Sequence, residues 1–517
     1  MRCSLLTLAV LVAAPAALAR PALRGGLEPG PWHVGYRTLL LHDLARPPLA
    51  DPDQPDLPSA PGRAVQVSVW YPALDGGAAM ALSDYAAELA REIDFRPLSP
   101  ARRSVARAKV LSDLLDWGGD AARLGPALDS LLALPADARR NAPRARGRFP
   151  LVVYPAYRSP FSQSILSEHL ASHGFVVAAT STKGTFETEL DVAVSGIESM
   201  TQDLAFVIGA MRTQPGVDAS RVGLVGSGIS ATSCFALAMR NPAVAALVSL
   251  DGGITTASEE RMLRATPFYD LASISAPLLA IWAPHPDVDP RRLDAYRYSE
   301  RIVLGFPHML EAYFQNKGVY EDLSPGLLGK RVEGTRAGFE WASRYIRRFL
   351  ASNLAADASS RAFLARSPEE NGAPADLLTR TTSHALPRPP SILEAKRLVR
   401  AQGIAALLAR LDELAKNDPS PFPEQRYVDL YGWLGWHRDD DLSRRRALAA
   451  HFAAAHPRSC RALFRVGRVA QQLGDKETAR RAYDEALALI DGDPDPSLDA
   501  PARILVKEQL EKIRASL

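Results

Sequence analysis

Short apolar runs recur from the start of the chain to about residue 305. They are YRTLLLH (36–42), VQVSVWY (65–71), PLVVYP (150–155), FVVAAT (175–180), RVGLVG (221–226), AALVSL (245–250), PLLAIWA (277–283) and RIVLG (301–305). The first two suit an antiparallel hairpin. The others are continuous apolar runs, the pattern of strands buried on both faces of a parallel sheet. Between the later runs, apolar residues return at helical spacing in 162–174, 194–214 and 230–242, and last in TRAGFEWASRYIRRFLASNL (335–354). Strands alternating with helices predict an α/β fold, a mostly parallel sheet of about eight strands covered on both faces.

Three stretches depart from this rhythm. Residues 76–147 are rich in Ala, Arg and Leu, and SVARAKVLSDLLDW (104–117) and ARLGPALDSLLALP (122–135) are amphipathic. They predict two or three inserted helices, which either cap a substrate entrance or simply pack on the sheet edge, the latter preferred. Residues 357–391 are weakly patterned and end in HALPRPPS, which reads as a linker. From 392 onward the pattern is helical throughout. The domain expectation is therefore a sheet domain over 20–356, a linker over 357–391 and a small all-α domain over 392–517.

The first 19 residues read as a separate element. Arg2 precedes the apolar run LLTLAVLVAAPAALA (5–19), and Ala17-Leu18-Ala19 fits a signal-peptidase site. The run is broken by Pro15 and is short of the ~20 residues a spanning helix needs. The expectation is a cleaved secretory signal, a secreted or periplasmic protein and no transmembrane anchor afterwards. The chain of 517 residues carries 61 basic against 58 acidic side chains, a net charge of +3. That balance gives no reason to expect nucleic acid. After the leader only Cys234 and Cys460 remain, and they read as unpaired buried thiols in different domains. No Cys/His cluster has metal-site spacing, so no metal and no cofactor are expected.

The chemistry-bearing stretch is RVGLVGSGIS (221–230), a strand that turns sharply into a helix. In serine hydrolases this shape is the nucleophile elbow, with serine at its apex. Here Gly228 holds the apex, between Ser227 and Ser230. An apex residue is forced into an unfavourable backbone conformation at a cost of about 1–3 kcal/mol, which glycine avoids. Glycine therefore keeps the turn and removes the nucleophile. Ser227 should point aside into the sheet, and Ser230 either caps the helix or fills a place where serine hydrolases keep glycine so that helix and strand pack closely. Thr232, Ser233 and Cys234 lie too far along it.

VSVWYPA (68–73), FPLVVYPAYRSPFSQSILSEHLASHGFVVAAT (149–180), RVGLVGSGIS and LVSLDGG (247–253) together resemble the secreted branch of the α/β-hydrolases. That branch contains platelet-activating-factor acetylhydrolases and dienelactone-hydrolase-like esterases. The resemblance spans roughly 34–350 and implies ancestral hydrolysis of esters, acyl lipids or lactones. It implies His308, after the last strand, as the base. It offers Asp251 as the orienting acid, with Asp287 as the rival. The backbone N–H groups of Tyr157 and Ile229 would stabilise an oxyanion, although Pro155 stands where the family shows a His-Gly loop and has no N–H. Arg158 is either a surface residue or the partner of a carboxylate or phosphate head group. Residues 460–494 resemble a tetratricopeptide repeat, with small residues at Gly467, Ala479 and Ala486 and Tyr483 between them. A weaker unit precedes it, its Gly435 lying 32 residues before Gly467.

Three functions stay open at this point. One is a pseudoenzyme that binds a small acyl or lipid ligand. Another is an active esterase using Ser227 or Ser230 with His308 and Asp251. In the third, the repeats bind a protein partner and the hydrolase unit is an inert scaffold.

Overall fold

The computed structural model describes residues 23–50, 60–329, 331–418, 421–436, 442–493, 498 and 500–517. Residues 1–19, for which a cleaved signal is expected, lie outside the described residues.

One mixed sheet organises the first three quarters of the chain. Its strands are β1 (His33–Asp43), β2 (Arg63–Ala73), β3 (Ala78–Ala81), β4 (Pro135–Arg140), β5 (Phe149–Ala156), β6 (Val176–Ser181), β7 (Val217–Ser227), β8 (Val244–Leu250), β9 (Leu278–Trp282), β10 (Arg301–Gly305) and β11 (Thr379–Ser383). Their spatial order is β11-β10-β9-β8-β7-β5-β6-β2-β1-β4-β3. The centre, from β10 to β6, is parallel throughout. β2 runs antiparallel to both β1 and β6, as the predicted hairpin requires.

The period-2 pleat sends alternate residues of the central strands to opposite faces. Val152, Tyr154, Val225 and Val248 join one core with Tyr345, Ile346 and Phe349 of the helix Thr335–Leu354. Leu151, Val153, Leu224 and Leu247 join the other. There they meet Ile197, Met200 and Leu204 of the helix Val194–Arg212, and Phe235 of the helix Ile229–Ala238.

Two predicted segments are corrected. The insertion at 76–147 does hold helices, chiefly Pro100–Asp116 and Ala121–Leu132, but it also supplies β3 and β4, which extend the sheet beyond β1. The linker at 357–391 contains the helix Ala358–Ala365 and the strand β11, paired antiparallel to β10 over five residues. A continuous apolar run is needed only where a strand is covered on both faces. TRTTS is a polar edge strand, so hydrophobicity did not mark it.

From Ile392 onward the described residues are helical: Ile392–Gln402, Ile404–Ala415, Glu424–Gly435, Leu442–Ala455, Cys460–Gln472, Lys476–Leu489 and Ala500–Ala515. A Ser391/Glu394 capping box starts the series. Gly467 lies against the ring of Tyr483, where an added Cβ would come within 2.5 Å. The helical region is docked on the sheet region by two ion pairs, each with one buried member, Arg426 and Asp418. Arg426 donates to Asp270 Oδ2 at 2.8 Å and to the carbonyl of Pro390 at 2.7 Å. Arg297 lies 3.0 Å from Asp418, which also accepts from Tyr298. Cys234 and Cys460 are both buried, and neither forms a disulfide.

Candidate functional site

β7 ends at Ser227 and the next helix begins at Ile229, so Gly228 alone makes the turn. Its φ is 52° and its ψ −136°, a conformation that glycine adopts without the penalty a Cβ carries. The turn is anchored from below. Gly228 N–H donates to Leu250 O at 2.9 Å, and Ala231 N–H to Gly228 O at 3.0 Å. Gly252 passes so close that a Cβ there would lie 2.1 Å from Gly228 O. The sharp strand–turn–helix geometry expected from the sequence is present.

The space above the apex is filled. A Cβ built on Gly228 would lie 2.5 Å from Glu311 Oε1. The carboxylate therefore sits where a serine side chain would stand. Glu311 belongs to the segment GFPHMLE that follows β10, and it starts a short 3-10 turn, Glu311–Phe314, which brings the chain back across the strand ends. Sequence reasoning passed over it; its only signal was its place three residues after His308. His308 itself is exposed and forms no hydrogen bond or ion pair among the described residues.

Asp251 follows β8 directly with φ 51° and is buried. Its Oδ1 accepts from Ala283 N–H at 3.3 Å, so its hydrogen-bond partner is backbone rather than histidine. Burial, and then the charge of Glu311, push its pKa up to about 7. Glu311 is likewise pushed up to about 7, by burial and then by the charge of Glu259, with Lys317 acting in the opposite sense. Glu259 is raised by burial while its carboxylate completes a capping box with Thr256. Such shifts arise when carboxylates gather away from water and the charged form is disfavoured. Asp287 stands apart: it is exposed on the loop after β9, beside His285 at 3.9 Å.

The flanking hydroxyls are engaged locally. Ser230 Oγ donates to Ser227 O at 2.8 Å and accepts from Ser227 N–H at 3.0 Å. Thr232 and Ser233 donate to the carbonyls of Gly253 and Ser230. Burial raises the pKa of the Cys234 thiol. Ser227 is 1% exposed, and its Oγ lies 3.5 Å from Gln315 Nε2.

From Gln315 a chain of polar contacts leads out to the insertion. Lys317 Nζ reaches Gln315 Oε1 at 3.3 Å and Asp113 Oδ2 at 2.7 Å, and lies 5.4 Å from the centre of the Trp117 ring. Asp113 belongs to the helix Pro100–Asp116. Arg158, after β5, meets the same helix at Asp116 (2.5 Å) and Asp113 (3.4 Å). The inserted helix is thus pinned beside the strand ends from two sides. The guanidinium read as a head-group binder already has carboxylates from within the chain.

Arg158 (φ 60°), Gly228 and Asp251 give the ends of β5, β7 and β8 positive φ values side by side. Tyr157 and Ile229 are half-buried beside them. This is the carboxyl end of the parallel strands, where open α/β sheets place their sites. Among the described residues, no group of three or more His, Cys, Asp or Glu side chains is arranged to hold a metal ion. No helix among them is long and apolar enough to cross a membrane.

No family model matches the sequence, and no curated protein matches it. Among solved structures, the chain is similar to a ferulic acid esterase from Streptomyces cinnamoneus. The identity is 20% and the TM-score 0.47, over 67% of this chain and 96% of that one.

Proposed function

We propose that the sheet region is an α/β-hydrolase-type scaffold without serine-dependent ester hydrolysis, and that the protein acts by binding a ligand or partner. One observation carries the reading: the elbow turn is intact, but its apex is Gly228 and the nucleophile's space holds the Glu311 carboxylate. The positive φ values of Arg158 and Asp251 beside Gly228, on three adjacent strand ends, support it. Ser227 and Ser230 are turned to backbone and glutamine partners, and His308 is directed to solvent. The paired helices after residue 392 suit a tetratricopeptide-like module, which would supply a protein-binding surface.

The test is hydrolysis of p-nitrophenyl acetate and butyrate by the full chain, beside Ser227→Ala, Ser230→Ala and His308→Ala. Background rates from all four proteins are expected. Turnover by the native protein that collapses in His308→Ala and in one of the serine variants would establish the esterase reading instead.

A further inference from the structure

A second concavity lies at the other end of the sheet. It is lined where β5, β6 and β7 begin, at Phe149, Val176 and Val217, and by Val69 and Tyr71 of β2. Its volume is about 300 Å³, at the lower end of small-molecule sites. The elbow stands at the opposite, carboxyl end of the same strands, so the two places share no residue.

The lining divides by chemistry. The floor is apolar and aromatic. Arg37, Arg144 and Asn141 stand among the polar lining residues, and no acidic side chain contributes. Neither arginine forms an ion pair among the described residues. Arg37 lies opposite Val69 in the β1–β2 register. Its Nη2 donates to Gln214 Oε1 at 3.0 Å, its guanidinium carbon lies 5.7 Å from the centre of the Tyr71 ring, and its Nε is buried with no acceptor. Arg144 Nη1 reaches only the carbonyls of Ala145 and Gly147, each at 3.2 Å. A guanidinium with spare donors beside an aromatic floor offers a carboxylate two parallel hydrogen bonds and its ring a flat apolar surface.

We propose that this pocket binds a small aromatic carboxylate. The carboxylate pairs with Arg37 and Arg144, and the ring lies on Tyr71 and Phe149. The site is independent of the elbow and of whether the elbow is catalytic.

Isothermal titration of the full chain with 1-naphthoate tests this, with 1-naphthalenemethanol as the uncharged counterpart and inorganic phosphate as the ringless anion. Saturable 1:1 binding of naphthoate is expected, with the alcohol and phosphate each weaker by at least about tenfold. Arg37→Met should raise the naphthoate Kd about ten- to a hundredfold. Arg144→Gln, at an exposed position that tolerates change, should raise it in the same direction. Arg291→Gln, on the exposed 3-10 turn Pro290–Ala295 after β9, should leave it unchanged. Melting curves of each variant report whether the fold is kept. Absence of saturable naphthoate binding would overturn the proposal. So would equal binding of the alcohol, tighter binding of phosphate, or equal Kd values for Arg144→Gln and Arg291→Gln.

Discussion

The position of Glu311 over the elbow can be measured as a coupling energy. Gly228→Ala adds a single methyl group with two separable costs. The first is backbone strain at φ 52°, about 1–3 kcal/mol. The second is overlap: the methyl carbon would stand 2.5 Å from Glu311 Oε1, where ordinary contact is 3.4 Å or more. The carboxylate must retreat by about 1 Å, for about 1–3 kcal/mol more. In a Glu311→Ala background the second cost disappears and the first remains. Urea denaturation of the four proteins of this cycle, followed through the unfolding of the sheet region, should give a coupling of about 1–3 kcal/mol. Gly228→Ala should be the milder change when Glu311 is absent. A coupling below about 0.5 kcal/mol, the level at which distant sites simply add, would show that no carboxylate stands above the apex. The reading of an occluded elbow would then fall.

Stability should also respond to pH through this group. Glu311 titrates at about 7 in the folded chain against an ordinary 4.5. Between those values the folded state retains a proton that the unfolded state has lost. Stability is therefore highest below the lower value and falls as pH rises to the upper one, by about 2–3 kcal/mol. Urea midpoints across this window should show the fall, and Glu311→Gln should reduce it, the remainder coming from Asp251, which burial alone still raises. Asp203 accepts from the fully buried Arg63 at 2.8 and 2.7 Å, and from Arg46. Asp203→Ala strands that guanidinium and should cost about 3–5 kcal/mol in chemical denaturation; a loss under 1 kcal/mol contradicts the assignment. Arg426→Ala should weaken docking of the helical region by about 2–3 kcal/mol and speed limited proteolysis between residues 387 and 391. An unchanged cleavage rate would mean that the contact does not hold the two regions together.

The central strands were legible because they are covered on both faces, and burial on both faces demands uninterrupted apolar runs such as PLVVYP and PLLAIWA. β3, β4 and β11 were not. AAMA and TRTTS are the two edge strands and PADARR is the strand next to one edge, all short and with few buried residues, and they become strands only because a neighbour offers unpaired backbone. The elbow could be read from RVGLVGSGIS because a strand, a turn and a helix follow one another within ten residues. Glu311 could not be read in this way. Its place above Gly228 depends on how a loop returns after β10, over a sequence separation of 83 residues. Arg158 was legible as a charge near the strand ends, but its partners Asp113 and Asp116 lie on an inserted helix whose placement no local pattern reveals.

β11 decides where the chain can be divided. A fragment cut at residue 356 would leave Ile302, Val303 and Leu304 of β10 as a bare, apolar sheet margin, which invites another chain to add a strand. Such a fragment should be prone to precipitate even though every catalytic-type residue is present. The backbone contacts of the sheet region continue to Leu386, which donates to Arg297 O at 2.8 Å. The natural point of separation is therefore the proline-rich stretch 387–390. During synthesis the same fact imposes a wait: the sheet cannot close its last margin until about 80 residues beyond β10 have been made. That interval is when a holding chaperone would be of most use to this protein.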